Sequence, residues 1–261
     1  TVVYAALTAA RAGMRAAILT RASLDTLPDD QREALAVVAS EVEIVAQASS
    51  TTTTFTNRDV AGRRIQELHA WAGEIDLNGL PPHWRTARVI HLAPVAQEID
   101  PRSIGRLSPQ LMGCTPQGWM REWDRRRFGP IRSTPLRLPP DLIARIDSAV
   151  ISSEESVAAR DVIEEVGRRS LAAITRSQQG AVLIDRGRRT EVRAYVSRTV
   201  DTVGAGDVFA AGLFASRADG ESVAASARYA AAAAALKVQA VGLRSVPNRD
   251  AVEGLIERQS G

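Results

Sequence analysis

Short apolar runs alternate with helix-like stretches from one end of the chain to the other. Strand-like runs fall at Arg15 to Leu19, Ala87 to Leu92, Ala149 to Ser152, Ala172 to Thr175 and Ala181 to Asp185. Helical spacing occupies Pro28 to Ala39, Asp59 to Ala72, Pro139 to Ile146 and Ser156 to Arg168. Apolar strands separated by helices predict a mostly parallel central sheet with helices on both faces. The small residues from Thr1 to Arg11 read as a further helix ending at Gly13. The run Ala230 to Ala235 predicts a buried scaffold helix from Glu221 to about Val238, because alanine favours helix and permits close packing.

Two segments break this rhythm. Residues 41–57 open with the β-rich runs Glu41 to Ala48 and Thr51 to Phe55 around a serine pair, and they predict a hairpin. Asn57, just beyond it, is placed either to reach a substrate hydroxyl or to cap a turn. From Thr115 to Pro140 the chain is rich in proline and arginine, after the apolar strand end Leu111 to Cys114. Such a strand end delivers polar groups to the carboxyl edge of a sheet, where ligands of open α/β folds bind. Gln117 and Arg121 are substrate-side candidates there; the alternative is a solvated loop anchored by Trp119 and Trp123.

Composition narrows the function. A chain of 261 residues with 45% hydrophobic content suits one large α/β domain. The net charge of +3 is small and arginine is spread along the chain, which argues against a nucleic-acid partner. Lys237 is the only lysine, and no Walker-type G-x-x-x-x-G-K loop precedes it. Cys114 alone excludes an internal disulfide framework, and His69, His83 and His91 lack metal-ligand spacing. No apolar run is long enough to span a bilayer and no secretory leader is visible, so the expectation is a cytoplasmic enzyme with no membrane partner.

The chemistry is concentrated in Asp201-Thr-Val-Gly-Ala-Gly-Asp207, followed at once by the helical Val208 to Phe214. Two glycines allow a tight turn whose amides, from Gly204, Ala205 and Gly206, meet the positive end of a helix: an anion hole. A carboxylate beside such a hole suits a group that takes a proton from an attacking hydroxyl, so Asp207 reads as a general base for phosphoryl transfer.

The run resembles the D-T-x-G-A-G-D signature of the ribokinase-like (PfkB) carbohydrate kinase family. That resemblance implies a three-layer α/β/α sandwich with a small β lid, formed here by residues 41–57, and an ATP-dependent kinase acting on a sugar or polyol hydroxyl. It implies that Asp207 is the base, the Gly204 to Gly206 amides the anion hole, and Asp201 a ligand of a monovalent cation such as K+. Thr202, within the signature, goes with the ATP side. Thr175-Arg-Ser-Gln-Gln-Gly180 is similar to the family's T-x-G-x-x-G segment near the ATP phosphates, with Ser177 in place of its first glycine; Thr175, Arg176 and Gly180 are the contacts implied. Ser152-Ser-Glu-Glu155 stands where the family carries N-x-x-E, so Glu155 would act on phosphate-bound Mg2+ through water, or else merely begin a helix. In the closing loop after Val238, Gly242 and Ser245 fit the adenine cover and the cation site.

The resemblance further implies a diglycine turn, a first strand and a sugar-binding acid ahead of Thr1. An apolar face on the hairpin would pair lids from two subunits into a homodimer. Nucleoside and inositol kinases of the same fold remain open, although 4% aromatic content leaves few rings to stack on a base. So does a non-catalytic nucleotide-binding protein, favoured by Ser152 and Ser177 and opposed by Asp207. A dinucleotide-binding oxidoreductase is disfavoured because its glycine turn should open the chain.

Overall fold

Helix α1 (Val2–Arg11) buries Ala5, Ala6 and Leu7 and leads into strand β1 (Ala16–Ala22). Helix α2 (Asp29–Ala39) follows Pro28, with Asp29 and Asp30 in its first turn, where acids complement the helix dipole. It returns the chain to β2 (Val42–Ala48), which pairs with β1 in parallel from Ala16↔Val42 to Ala22↔Ala48. The computed structural model describes residues 2–60 and 63–260.

The parallel pairing corrects the hairpin expected over residues 41–57, because β2 belongs with β1 and not with the strand that follows. The antiparallel pair is instead β3 (Thr54–Val60) with β4 (Arg63–Ala70), and β4 also pairs with a two-residue strand, β8 (Gly129–Pro130). The helix expected over Asp59 to Ala72 is therefore mostly strand. Ile65 and Leu68, three apart, mimic helical spacing. In the strand they have opposite fates, Leu68 fully buried and Ile65 43% exposed. Leu68 packs with Ala96 and Trp123, with Phe55, Trp71 and Phe128 around them.

The central sheet follows. It contains β5 (Val89–Leu92), β6 (Leu111–Cys114), β10 (Ser148–Ser152), β11 (Leu171–Thr175), β12 (Ala181–Asp185) and β13 (Arg188–Val192), in the order β13-β12-β11-β10-β6-β5. The four strands β5, β6, β10 and β11 are mutually parallel, and β12 and β13 close the edge antiparallel. A small ribbon, β7 (Arg121–Glu122) with β9 (Arg132–Ser133), lies outside it.

Strand alternation assigns residues to two faces. Ala149, Ile151, Ala172 and Ile184 join a core with Val162, Ile163 and Val166 of α5 (Arg160–Arg169), which follows α3 (Pro140–Ile143) and the one-turn α4 (Ser153–Ser156). Val150, Leu171, Ala173 and Leu183 join the opposite core with Phe209, Leu213 and Phe214 of α6 (Ala205–Ala218) and with Ala227 and Ala230 of α7 (Val223–Lys237). A third core gathers α1, α2, β1, β2, α7 and α8 (Arg249–Ser260) around Leu7, Ile18, Val38 and Val252. The result is the expected three-layer sandwich, and the parallel strands bring Cys114, Ser152 and Thr175 to one carboxyl edge.

Candidate active site

The turn ahead of α6 is held by its own residues. The Asp201 carboxylate accepts from the Val203 amide at 2.9 Å, and the Thr202 carbonyl accepts from Ala205 at 3.2 Å. Gly204 then caps the helix at φ +81°, a conformation only glycine adopts without strain, and it offers no side chain to cover the helix end. The chain needs glycine for a second reason. A Cβ there would lie 2.5 Å from the Tyr4 ring. The turn thus stands at the positive end of a 14-residue helix, as an anion requires.

Asp207 sits in that first turn, half-buried. Burial raises its carboxyl above the ordinary value, the Glu155 charge adds to the rise, and the Arg121 guanidinium opposes it. Three residues far apart in sequence therefore converge. Arg121 is itself buried; its Nη1 donates to the Val95 carbonyl at 2.6 Å, and its guanidinium carbon lies 5.2 Å from the centre of the Phe55 ring. That contact joins β3 to the segment after β6 that carries Arg121, a substrate-side candidate.

Glu155 is oriented at both oxygens. Gln117 Nε2 donates to Oε1, and Ser152 Oγ donates to Oε2 at 2.8 Å while capping α4 by accepting from the Glu155 amide at 3.3 Å. Gln117 was a substrate candidate; the structure engages its amide with Glu155. Ser152 is both the cap of α4 and a hydrogen-bond partner of the Glu155 carboxylate. A carboxylate held in this way keeps lone pairs for the water shell of Mg2+, which retains its waters reluctantly shed, and the residues fit a water-mediated metal. Among the described residues, no group of three His, Cys, Asp or Glu side chains gathers to bind a metal directly.

The remaining candidates lie on several elements. Thr175 Oγ1 donates to the Ile151 carbonyl at 3.3 Å, and Arg176 pairs with Glu191 of β13 at 2.8 Å. The turn between them and β12 closes through Arg176 N to Gly180 O at 2.7 Å. Gly180, at φ +84°, has no room for a side chain: a Cβ would lie 2.0 Å from the Val192 carbonyl oxygen. Ser177 takes φ +49° at the position of the missing glycine. Thr202 is exposed at the mouth. Asn57, exposed on β3, accepts from Gln66 Nε2 across the hairpin at 2.6 Å.

Asp201 faces inward. The Val203 amide, and then the Lys237 ammonium, hold its carboxyl below the ordinary value. Its second oxygen also lies 3.5 Å from the Gly242 amide, and Ser245 Oγ donates to the Gly242 carbonyl at 2.6 Å. The monovalent cation expected beside Asp201 therefore meets a lysine there.

Two residues escaped the sequence reading. Tyr4 lies against the turn, and burial, with the charges of Asp201 and Asp207, raises its hydroxyl pKa; nothing in a small-residue helix announces that. Lys237 carried a signal, as the one lysine in an arginine-rich chain. His91, its pKa pushed down to about 4 by burial, shares a hydrogen bond with Thr115 Oγ1 at 3.0 Å, and His69 does so with Thr56 at 2.6 Å.

A profile described as pfkB family carbohydrate kinase matches residues 147–250, the segment that carries Glu155, Asp201 and Asp207. The resemblance read from the signature is borne out. Solved structures share the architecture along nearly the whole chain. A pyrophosphate-dependent kinase in the ribokinase family, solved as a sulfate complex, has a TM-score of 0.80 at 18% identity, over 97% of this chain and 90% of that one. A pyrophosphate-dependent myo-inositol-1 kinase converted into a myo-inositol-3 kinase has a TM-score of 0.78 at 17%, over 100% and 91%. Ribokinase from Arabidopsis thaliana, complexed with ribose and ATP, has a TM-score of 0.70 at 17%, over 98% and 86%. The fold is that of ribokinase. No helix among the described residues is long and apolar enough to cross a membrane.

Proposed function

For a chain with the ribokinase fold and the PfkB signature, we propose an ATP-dependent phosphotransferase that acts on a hydroxyl of a small sugar or polyol. The observation that carries this reading is the convergence of Asp207, at the open N-terminus of α6, with Glu155 and Arg121.

Asp207 takes the proton of the acceptor hydroxyl as its oxygen attacks the terminal phosphorus of the donor. The Gly204 to Gly206 turn holds the charge on the transferring phosphoryl group through fixed amide dipoles, which need no rearrangement as the bond forms. Mg2+, when bound with the donor, neutralises phosphate charge. Glu155, held by Ser152 and Gln117, would hold that ion through its water shell. Thr175, Arg176, Gly180, Thr202 and Gly242 line the donor side, and Asn57, Gln117 and Arg121 the acceptor side. The raised pKa of Asp207 suits it to the work, since a stronger base accepts the proton more readily.

Pyrophosphate is the second donor to weigh, because three similar structures are of pyrophosphate-dependent kinases. The surface favours ATP. Val200, Val203 and Val241, at 53%, 62% and 71% exposure, flank the turn and its closing loop. An adenine ring would cover such apolar surface, whereas pyrophosphate would leave it in water.

The test is donor consumption with Mg2+ against a panel of sugars, polyols, inositols and nucleosides, with ATP and pyrophosphate in parallel. Asp207→Asn should reduce acceptor-dependent turnover by about 10²–10⁴-fold while donor binding persists. A variant with most of its wild-type rate would remove Asp207 from the role of base. Donor binding with no turnover on any acceptor would favour a regulatory nucleotide-binding protein.

A further inference from the structure

The only lysine in the chain is fully buried at the end of α7. Its Nζ lies 3.3 Å from Asp201 Oδ2, 3.5 Å from the Asp201 carbonyl and 3.5 Å from the Ala240 carbonyl. The Tyr4 ring covers it, with Nζ 5.4 Å from the ring centre. One positive charge is therefore surrounded by a carboxylate, two carbonyl oxygens and an aromatic face.

We propose that the Lys237 ammonium is a tethered cation that organises the anion-hole turn, so that the protein needs no dissociable monovalent ion there. The inference rests on the phosphotransferase reading given above and concerns the same site. Asp201 is the hub. Its Oδ1 holds the Val203 amide of the turn, and its Oδ2 holds Lys237 and approaches Gly242. The backbone of Val200 and Asp201 bonds to the Val238 carbonyl, one residue beyond the lysine. Neutralising Asp201 thus joins the turn before α6 to the loop after α7.

The choice of lysine is chemically specific. Elsewhere this chain meets its need for positive charge with arginine, whose planar fork suits bidentate partners. A compact ammonium presents a nearly spherical charge with three donors, as the three oxygens here require. A free K+ at the same point would be a second positive charge beside a carboxylate already neutralised. Lys237 is a positioning residue: it acts through Asp201 and the turn, and it does not touch the reacting atoms.

The test compares turnover in KCl and in tetramethylammonium chloride at equal ionic strength. Wild-type rates should agree within about twofold, whereas activation of about tenfold or more by K+ would overturn the proposal. Lys237→Ala, checked for folding by circular dichroism, should lose about a hundredfold in rate and regain about tenfold or more with K+, ammonium or ethylammonium. A folded Lys237→Ala protein that keeps the wild-type rate, or that no cation rescues, also overturns it. Lys237→Arg should not restore the rate, because a planar guanidinium does not present one compact charge to the three oxygens around Nζ. Should Lys237→Ala fail to fold, the wild-type comparison decides alone. Should the wild type turn over no acceptor, the phosphotransferase reading fails separately. The donor-induced rise in melting temperature then replaces the rate: equal rises in both salts support the tethered cation, and a rise that needs K+ overturns it.

Discussion

The Tyr4 ring lies where a side chain on Gly204 would have to be, 2.5 Å from the nearest position of a Cβ. Helix α1 therefore forms the back wall of the anion-hole turn. Gly204→Ala meets two penalties, a φ of +81° and this collision, and should destabilise the protein by about 2–4 kcal/mol while reducing turnover. Adding Tyr4→Ala removes the collision and leaves the backbone strain. The double variant should thus melt higher than the sum of the two single effects predicts. Strictly additive melting temperatures would show that the ring is not the obstacle.

The acid limb of the pH–rate profile should report Asp207. The base works only when ionised, so activity is present above its pKa and lost as pH falls through it. Burial and Glu155 raise that pKa, which moves the limb above the ordinary carboxylate range. Glu155→Gln should shift the limb down, and Arg121→Gln should shift it up, because the first removes a negative charge and the second a positive one. A limb that ignores both substitutions would belong to another group.

Glu155 should matter through the metal. Glu155→Gln is expected to raise the Mg2+ concentration for half-maximal rate by about tenfold or more, since outer-sphere partners of metals commonly carry effects of 10- to 100-fold. Ser152→Ala should act in the same direction more weakly, and also lose a helix cap worth about 1 kcal/mol. Ser152→Asn, which can still bond to the carboxylate, should stay near wild type. A magnesium titration of the three variants separates these outcomes.

Ser177 holds φ +49° at the turn between β11 and β12. Ser177→Gly relieves that strain but frees the unfolded chain, so a net gain of up to about 1 kcal/mol is expected. Thermal unfolding should show it as a small rise in melting temperature. A fall would mean that the serine side chain stabilises the turn more than its backbone strains it.

Local pattern made most of the sandwich legible. The strands ending at Leu92, Ser152, Thr175 and Asp185 and the helix over the alanine run lie where spacing placed them. The projecting sheet was misread because Ile65 and Leu68 share a helical interval, and because β-propensity over 41–48 does not say which strand will be the partner. Pairing is settled by distant residues, beyond the reach of any local pattern.

By itself the sequence determined the elements of the sandwich, the glycine turn and the acid that follows it, since these depend on backbone conformation and neighbours a few residues apart. Only the tertiary structure brought Arg121 and Glu155 to Asp207, laid Tyr4 against Gly204 and buried Lys237 on Asp201. Each of those relationships joins segments that meet only after the sheet has formed, and charge and steric contact act through space, whatever the separation along the chain.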